Sequence, residues 1–258
     1  MSDYLGLVQY FFIELLLFGL LFTYIETLNI VEKIGLFRRE IFSDILYGII
    51  NTLIMVPVVI VFYEELLQLI NYPTDILKDH VSNIGLGLQV FIALIVIDFS
   101  VYVRHRFTHK YMWKFHSIHH GIKSISWSSG LRLHPIEVAL ATLVDVLLLK
   151  LIGFSDEAVF FSVLTLKAYN FYTHANINIK YPKPLCFVLA SPHYHRWHHS
   201  NESSAIDKNF CVVFSLLDVV FGTYHHPSHL TVEYGLKAGE MRNYPKELYK
   251  QLTYPFKG

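Results

Sequence analysis

The sequence has little charge and almost no cysteine. Only 16% of its 258 residues are Asp, Glu, Lys or Arg, and their charges cancel to a formal net charge of zero. A nucleic-acid-binding protein, which attracts phosphates with an excess of cations, is therefore not expected. Cys186 and Cys211 form neither a disulfide framework nor a CxxC metal motif. The N-terminal residues lack a basic region followed by a small-residue cleavage site, so we expect no signal peptide.

Apolar residues are abundant instead, at 53% of the chain. Three apolar runs, at residues 5–30, 45–62 and 84–103, approach or exceed the roughly 20 residues that cross a hydrocarbon core. Two shorter segments, 138–154 and 158–172, are compatible with a hairpin that enters the bilayer and returns. We therefore predict an all-α integral membrane protein, with about four to five membrane-embedded helices and a cytosolic histidine-rich helical cap.

The basic residues indicate how this protein is oriented. Lys33, Arg38 and Arg39 follow the first apolar run, and a series of cations begins at Arg104, after the third run. Three spans place both basic regions on the same side of the membrane. Since cytoplasmic loops are enriched in Lys and Arg, we predict a multi-pass protein whose N-terminus is outside and whose histidine-rich region is cytoplasmic.

Histidines are concentrated in three motifs: HxxxH at 105–109, and HxxHH at 116–120 and at 195–199. Positions i, i+3 and i+4 of a helix project from one face, so each motif can direct its imidazoles together. Neutral imidazole suits zinc, copper, iron and nickel, and eight such groups exceed the needs of one ion. The motifs therefore predict a site for two adjacent metals. The candidate ligands are His105, His109, His116, His119, His120, His195, His198 and His199.

The first two motifs can meet only if the helix between them ends. Along one straight helix, positions 105 and 120 would be roughly 22 Å apart at 1.5 Å per residue. Paired metals, in contrast, lie about 3.5–4 Å apart. We therefore predict a helix break near Tyr111–Lys114.

Neutral imidazoles leave the charge of a metal uncompensated, so acids that hydrogen-bond to the ligands are expected nearby. Asp98 is the first candidate, because it lies two helical turns before His105. Glu137 is the next, and Asp145 and Asp218 follow, for which a structural role is the stronger interpretation.

Other histidines differ in their expected roles. His174 ends an apolar segment, from which a ninth ligand can reach back to the site. His134 is interpreted either as a ligand or as a hydrogen-bonding neighbour of the ligands. Surface or structural roles are expected for His193, His225, His226 and His229.

Further motifs lie between and after the histidine motifs. They are Asp98-x6-His105, Leu131-Arg-x-His-Pro135, His174 with Asn176, Asp207-Lys-Asn209 and Asp218-Val-Val-Phe-Gly-Thr-Tyr224. From residue 98 to residue 224 the chain resembles the fatty acid hydroxylase/sterol desaturase superfamily of membrane enzymes with a non-haem di-iron centre. The alkylglycerol monooxygenase-like branch is the most similar. We therefore predict a single membrane domain over residues 1–258, with N-terminal spans at 1–97, a catalytic region like that of the superfamily at 98–224 and a C-terminal tail at 225–258.

The resemblance also implies a reaction. It implies oxidation of a lipid C–H bond by O2, as hydroxylation, desaturation or ether cleavage, with two iron ions as cofactors and O2 as co-substrate. The eight histidines and His174 are then the iron ligands. Asn178 stands where some members have another histidine, so a tenth ligand is not expected there. A separate electron donor, cytochrome b5-like or ferredoxin-like, is expected as a partner beside the membrane lipid substrate.

Two other functions are alternatives to lipid oxidation. A metal transporter places ligands inside several spans near the middle of the bilayer, whereas these motifs follow the spans on one basic side. A zinc hydrolase uses three protein ligands and an open position, which is fewer than this chain offers. The sequence favours the lipid oxidase, and a membrane metal-binding or transport protein is the alternative.

Overall fold

A computed structural model of the protein describes residues 2–35, 39–70, 81, 83–231 and 233–257. Within these ranges the chain forms helices and connecting segments and no β-strand, which confirms the predicted all-α class. Arg38 of the first basic region lies outside the described residues. The α-helices are α1 (Ser2–Leu28), α2 (Arg39–Ile50), α3 (Val56–Ile70), α4 (Leu86–Tyr111), α5 (Trp113–His120), α6 (Pro135–Ile152), α7 (Asp156–His174), α8 (Pro192–His198), α9 (Leu216–Val220), α10 (Ala238–Met241) and α11 (Leu248–Thr253).

Three of the described helical stretches are long and apolar enough to cross a membrane: Val8–Leu28, Glu40–Val59 and Leu86–Tyr111. They overlap the three predicted apolar runs. Large apolar side chains on these stretches are exposed, as Leu16 at 60% and Phe91 at 53% illustrate. A membrane would cover such side chains with lipid. Helices α6 and α7, with 18 and 19 residues, are not apolar and long enough to be candidate spans. Of the four to five embedded helices predicted, three are therefore candidate spans by length and composition.

The second span changes its helix type near the centre. Helix α2 continues into a π-helix at Asn51–Met55, which leads directly into α3. Pro57 lies in the first turn of α3 and has no N–H to donate to the preceding turn. The π-helix is the local adjustment at this point. Asn51 donates its side-chain amide to the Leu133 carbonyl at 2.9 Å, which ties this span to the loop before α6.

Buried acids on the first two spans hold the segments that follow α5 and α7. Glu26 accepts the backbone N–H groups of Trp127 and Asn176, both at 2.8 Å. Asp44 accepts from the Arg132 guanidinium at 2.6 Å. These carboxylates are desolvated, so their hydrogen bonds are needed to offset the cost of burial. The loops that carry site residues are thereby fixed to the spans.

Helices α4, α6 and α7 form the main apolar core. Its buried members include Ala93 and Ile97 on α4, Leu149 on α6, Ala158 on α7 and Val212 on the segment before α9. Two of these members, Ala93 and Ala158, have small side chains, which allow the helices to approach closely, as is typical of helix interfaces in membranes. The core places the C-terminal end of α4 beside the beginning of α6 and the end of α7.

Candidate metal centre

The helix break predicted between the first two motifs is confirmed. Helix α4 ends at Tyr111, and α5 begins at Trp113. Met112 between them has φ −124° and ψ 30°, which is not helical. The change of direction brings Nε2 of His105 to 3.1 Å from Nε2 of His116. The two motifs therefore meet, although a straight helix would separate them.

The nine histidines named from the sequence lie in two groups, and within each group the ligand nitrogens are all within 4.8 Å of one another. Group 1 consists of His105, His109, His116, His120 and His198. Group 2 consists of His119, His174, His195 and His199. The groups adjoin, since the ring centroids of His120 and His199 are 4.7 Å apart.

Each HxxHH motif contributes to both groups. On α5 the i, i+4 pair joins group 1 and His119 joins group 2. In the motif at 195–199 the i, i+4 pair joins group 2 and His198 joins group 1. A single helical turn thus supplies both groups, which holds them side by side. The spacing predicts that the histidines of one motif lie on the same face of a helix. It does not predict that they are divided between two groups.

Hydrogen bonds to backbone carbonyls determine which ring nitrogen carries the proton. Nδ1 of His119 lies 3.1 Å from the Arg132 carbonyl oxygen, and Nδ1 of His174 lies 2.8 Å from that of Asn170. A carbonyl only accepts, so both Nδ1 atoms donate and both Nε2 atoms of the neutral rings carry lone pairs. These two Nε2 atoms are 3.2 Å apart. Facing lone pairs repel each other, and a cation bound by both would remove the repulsion.

Group 2 contains a second arrangement that hydrogen bonds cannot satisfy. The Nε2 atoms of His174, His195 and His199 are separated by 3.0, 3.2 and 3.1 Å. A neutral Nε2 is either one donor or one acceptor, so three of them in mutual contact cannot all be paired. Neighbouring nitrogens that each lie 2.0–2.1 Å from one ion are about 2.9–3.4 Å apart. The observed separations fit a metal ion.

Group 1 also contains ring nitrogens that hydrogen bonds do not satisfy. The Lys208 carbonyl lies 2.8 Å from Nδ1 of His198, so Nε2 of this ring carries the lone pair. Nε2 of His198 is buried and finds no hydrogen-bond partner among the described residues, and the same is true of Nε2 in His109 and His120. An unpaired buried acceptor costs roughly 1–3 kcal/mol. A bound metal would supply the missing partner for all three.

Two acids contact candidate ligands. Glu137 accepts from Nδ1 of His116 at 2.7 Å, and Asp207 accepts from Nδ1 of His109 at 3.2 Å. Such carboxylates orient metal-bound imidazoles and increase their basicity. Glu137 is one of the acids that the sequence predicts near the ligands. The spacing of the histidines does not indicate Asp207, which belongs to the Asp207-Lys-Asn209 motif.

Asp98 has a different role from the one expected. Among the described contacts it touches no histidine, and its carboxylate accepts the backbone N–H groups of residues 212–214 at 2.7–3.2 Å. This fixes the segment that begins at Phe210, whose carbonyl accepts from Nδ1 of His105 at 2.7 Å. Asp98 therefore acts on the histidines through the backbone.

His134 is also placed apart from the two groups. Its Nδ1 accepts the backbone N–H of Ile136 at 3.1 Å, which caps the N-terminus of α6. Its Nε2 donates to the Leu252 carbonyl at 3.1 Å, so neither ring nitrogen is left for a metal. His134 is therefore neither a metal ligand nor a hydrogen-bonding neighbour of a ligand, the two roles predicted for it.

The remaining acids have the structural roles expected of them. Asp145 pairs with Arg104 at 2.9 Å. Asp218 accepts the backbone N–H groups of Phe210 and Cys211 at 2.9 and 3.0 Å. Neither acid contacts a histidine in the part of the chain that the structure describes. Asp218 therefore fixes the backbone at Phe210, and Asp145 holds the side chain of Arg104, the residue before His105.

Burial keeps the histidines on α5 and in the third motif neutral. Desolvation lowers the pKa of each well below the ordinary value of 6.5, and the surrounding imidazoles lower it further. Neutral rings are the form that binds metals. The histidines concerned are His116, His119, His120, His195, His198 and His199.

Two cavities reach the histidines. One, called here the apolar cavity, has a volume of about 180 Å³ and is lined by α4, α6 and α7, including Val101, Val138 and Ala141, and by rings of both groups. The other, called here the polar cavity, has a volume of about 200 Å³. It is lined by group 1 rings together with Trp113, Ser200, Asp207, Lys237 and Glu240.

Comparison with known proteins identifies the family of this chain. Residues 90–223, about half of the chain, match the family described as Fatty acid hydroxylase. The chain belongs to this family. The resemblance identified from the motifs is thereby confirmed, and the matched residues include all nine histidines of the two groups.

Three curated relatives illustrate the range of the family. The chain is 28% identical over 145 residues to ornithine lipid hydroxylase OlsE of Rhizobium tropici, which covers 55% of this chain and 43% of that protein. It is 32% identical over 146 residues to alkylglycerol monooxygenase of Homo sapiens, a match that covers 56% of this chain and 32% of that protein. It is 31% identical over 148 residues to alkylglycerol monooxygenase of Danio rerio, a match that covers 57% of this chain and 32% of that protein. The matches thus span less than half the length of these relatives. No solved structure matches the chain significantly.

Proposed function

We propose that this protein is an O2-dependent lipid hydroxylase of the membrane, in which the nine histidines hold two iron ions. Group 1 would bind one ion and group 2 the other. The observation that carries the proposal is the pair of facing Nε2 lone pairs in His119 and His174, within a buried cluster of neutral imidazoles. Membership of the fatty acid hydroxylase family favours iron over the other metals that imidazole suits.

The proposed chemistry requires a redox cofactor. An unactivated C–H bond is not broken by acid–base groups alone, and bound iron would supply the activation of oxygen. In a hydroxylation, one oxygen atom enters the C–H bond and the other leaves as water, which consumes two electrons and two protons. A separate electron donor is therefore part of the proposal. The names of the relatives, hydroxylase and monooxygenase, favour this reaction over desaturation.

The apolar cavity is the proposed site for the reacting part of the lipid. It is lined by His105 and His116 of group 1 and by three rings of group 2. A lipid hydrocarbon chain bound in this cavity would therefore lie against both groups. Its other walls include α4, a candidate membrane span, from whose side a lipid can approach. The apolar walls exclude water, while Glu137 keeps the ring of His116 in place through its hydrogen bond.

The topology remains part of the proposal. Residues 1–97 would supply spans, residues 98–224 the catalytic region and residues 225–258 a cap, with α6 and α7 also embedded in the membrane. Two contacts support the capping role: Glu240 accepts from Trp113 at 2.7 Å, and the Leu252 carbonyl accepts from His134. The basic residues around the histidine motifs favour the cytoplasmic side for the site.

The test begins with the protein purified without oxygen in lipid nanodiscs. We expect about two irons per chain, as in known two-metal sites. With a reductant, mixed membrane lipids and isotopically labelled O2, we expect one labelled oxygen atom in a lipid product. His119→Ala and His198→Ala, one from each group, should abolish this incorporation while the chain still inserts. Full activity of either variant, or metal uptake into proteoliposomes without O2 consumption, would contradict the proposal.

A further inference from the structure

The segment around helix α9 buries its polar side chains and exposes its apolar ones. Residues 210–221, called here the α9 segment, are all described, and every exposed side chain among them is apolar. The serine and the aspartate of the segment, Ser215 and Asp218, have no exposed surface. A loop that faces water usually shows the opposite distribution, so water is not the expected neighbour of this surface. The exposed side chains, at 39–66%, are Leu216, Val219, Val220 and Phe221.

The exposed surface of the α9 segment continues an apolar face of α4. Large exposed apolar side chains follow one another along α4 at intervals of three or four residues, which places them on one side of the helix. They are Leu88, Phe91, Ile95, Phe99 and Val103. The ring centroid of Phe221 is 6.3 Å from that of Phe99, and the ring centroid of Phe214 is 6.4 Å from that of Phe91. The surface is therefore continuous with the exposed apolar side of a candidate membrane span.

The contacts with α4 also indicate the depth of the α9 segment. Helix α4 has 26 residues, more than the roughly 20 that cross a hydrocarbon layer. Every stretch of about 20 consecutive residues within Leu86–Tyr111 includes Asp98 and Phe99. Asp98 accepts the backbone N–H groups of residues 212–214, and Phe99 contacts Phe221. The α9 segment therefore lies beside a part of α4 that is within the hydrocarbon layer wherever α4 crosses it.

The backbone of the α9 segment meets the requirement for a loop in lipid. Residues 210–214 form neither helix nor strand, and such backbone is tolerated at membrane depth only where protein groups satisfy it. Asp218 accepts the N–H groups of residues 210 and 211, and Asp98 accepts those of residues 212–214. The Ser215 hydroxyl donates to the Cys186 carbonyl at 3.0 Å. Two buried carboxylates thus pair every backbone N–H of this irregular stretch.

Both ends of the α9 segment lie together beside the third histidine motif. The backbone N–H of Asn209 donates to the Thr223 carbonyl at 3.0 Å. The side-chain amide of Asn209 donates to the carbonyl of His225 at 2.6 Å and to that of Tyr194, on α8, at 2.9 Å. The chain therefore leaves α8 and returns to it at one point, with the apolar residues between.

We propose that the α9 segment is a re-entrant loop, which enters the hydrocarbon layer from the side of the histidine groups and returns to that side. Its partner is the hydrocarbon of the bilayer, which it contacts through the four exposed apolar side chains. Val212 of the same segment lines the apolar cavity, so the loop lies between this cavity and lipid. The proposal requires that α4 spans the membrane, and it depends neither on the metal nor on the proposed reaction.

The loop is tested with nitroxide spin labels on single cysteines of the full chain in lipid nanodiscs. The native cysteines, Cys186 and Cys211, are buried and are replaced by alanine. Val220→Cys carries the label in the loop, Phe91→Cys is the lipid reference on α4, and Ser204→Cys is the reference at an exposed polar site. We expect the label at 220, like that at 91, to collide more with O2 than with a water-soluble nickel chelate. The label at 204 should show the reverse.

Two results would overturn the loop. A label at 220 that behaves like the label at 204 would show that the surface faces water. A label at 220 that is shielded from both O2 and the nickel chelate would show that protein, such as a second copy of the chain, covers it. Leu216→Cys, on the same surface, decides the comparison if Val220→Cys does not fold.

A charge at position 220 gives a second test, because Val220 is the most exposed residue of the segment. In water, a substitution at such a position changes stability little, whereas a carboxylate in lipid is costly. We expect Val220→Asp to lower the thermal midpoint in nanodiscs by about 5 °C or more. Val220→Ala, which removes the same side chain without a charge, and Ser204→Asp should each change it much less. Equal midpoints for Val220→Asp and Val220→Ala would overturn the contact with lipid.

These outcomes are separable from those of the proposed function. If the label at 220 contacts lipid but the wild-type protein oxidises none, the hydroxylase proposal fails and the loop stands. If the wild-type protein oxidises lipid but the label at 220 contacts water, the loop fails and the hydroxylase proposal stands.

Discussion

Nε2 of His119 and Nε2 of His174 face each other at 3.2 Å, although hydrogen bonds to carbonyls place the proton of each ring on Nδ1. The contact joins the motif on α5 to the end of α7, 55 residues later in the chain. It is unfavourable between two neutral rings alone and favourable around a cation. The stability of the protein should therefore depend on metal.

Removal of metal should lower the midpoint of thermal unfolding, and restoring Fe²⁺ should raise it again. A ligand that binds only the folded state at 100 times its Kd adds about 2.7 kcal/mol of stability. The measurement is thermal unfolding in detergent before and after treatment with a chelator. The double variant His119→Ala/His195→Ala should respond less, and an unchanged midpoint in the wild-type protein would contradict a metal centre in group 2.

The two groups should lose metal separately. His109→Ala removes a group 1 nitrogen and His195→Ala a group 2 nitrogen, so we expect each variant to keep one of two ions under mild chelation. His229→Ala is the matched control, because this exposed histidine belongs to neither group. Elemental analysis of the purified variants measures the outcome. Retention of both ions by His109→Ala and His195→Ala would show that these nitrogens are not ligands.

Glu137 should influence the metal affinity of group 1 through His116. We expect Glu137→Ala to weaken binding about 10- to 100-fold, the usual effect of removing such a carboxylate. Glu137→Gln should weaken it less, because an amide oxygen still accepts from Nδ1. Competition with a chelator of known affinity gives the values, and Glu157→Gln, an exposed acid on α7, serves as the control. An equal loss in the Ala and Gln variants would argue against orientation by this hydrogen bond.

Acid should destabilise the metal-free protein. Burial lowers the pKa of the histidines on α5 and at 195–199 well below 6.5 in the folded state, so unfolding takes up protons. This contribution to stability is complete above the ordinary pKa of about 6.5 and is lost as the pH falls below it. Thermal midpoints of the apoprotein should be flat above neutral pH and decline in acid. A midpoint that rises on acidification would contradict the buried, neutral state of these rings.

Gly235 should not tolerate a side chain. Its φ is +101°, and an added Cβ would lie 2.7 Å from the Ile122 carbonyl oxygen. We expect Gly235→Ala to cost about 1–3 kcal/mol from backbone strain alone. Gly239→Ala is the matched control on α10, where an added Cβ meets nothing within 4 Å and alanine favours the helix. Comparable thermal midpoints for the two variants would contradict the close contact at Ile122.

Local features of the sequence were sufficient to predict much of this protein. The length of an apolar run is compared directly with the thickness of a bilayer, which identified the three spans. The fixed rise of a helix required the chain to turn before His116, and Met112 is where it turns. The motifs likewise named all nine histidines that the fold collects. Each of these inferences depends only on residues close together in the chain.

The partners of those residues were decided by the tertiary structure. Asp98 precedes His105 by two turns, about 10 Å along the helix. At that distance its carboxylate contacts the backbone of another segment, residues 212–214, instead of the His105 ring. The division of each HxxHH motif between two groups, and the carbonyls of Arg132 and Asn170 that fix the ring protons, also come from distant segments. Helical spacing determines which side chains share a direction. Which atoms contact those side chains depends on how the helices pack, because the contacting atoms belong to segments that are distant in the sequence.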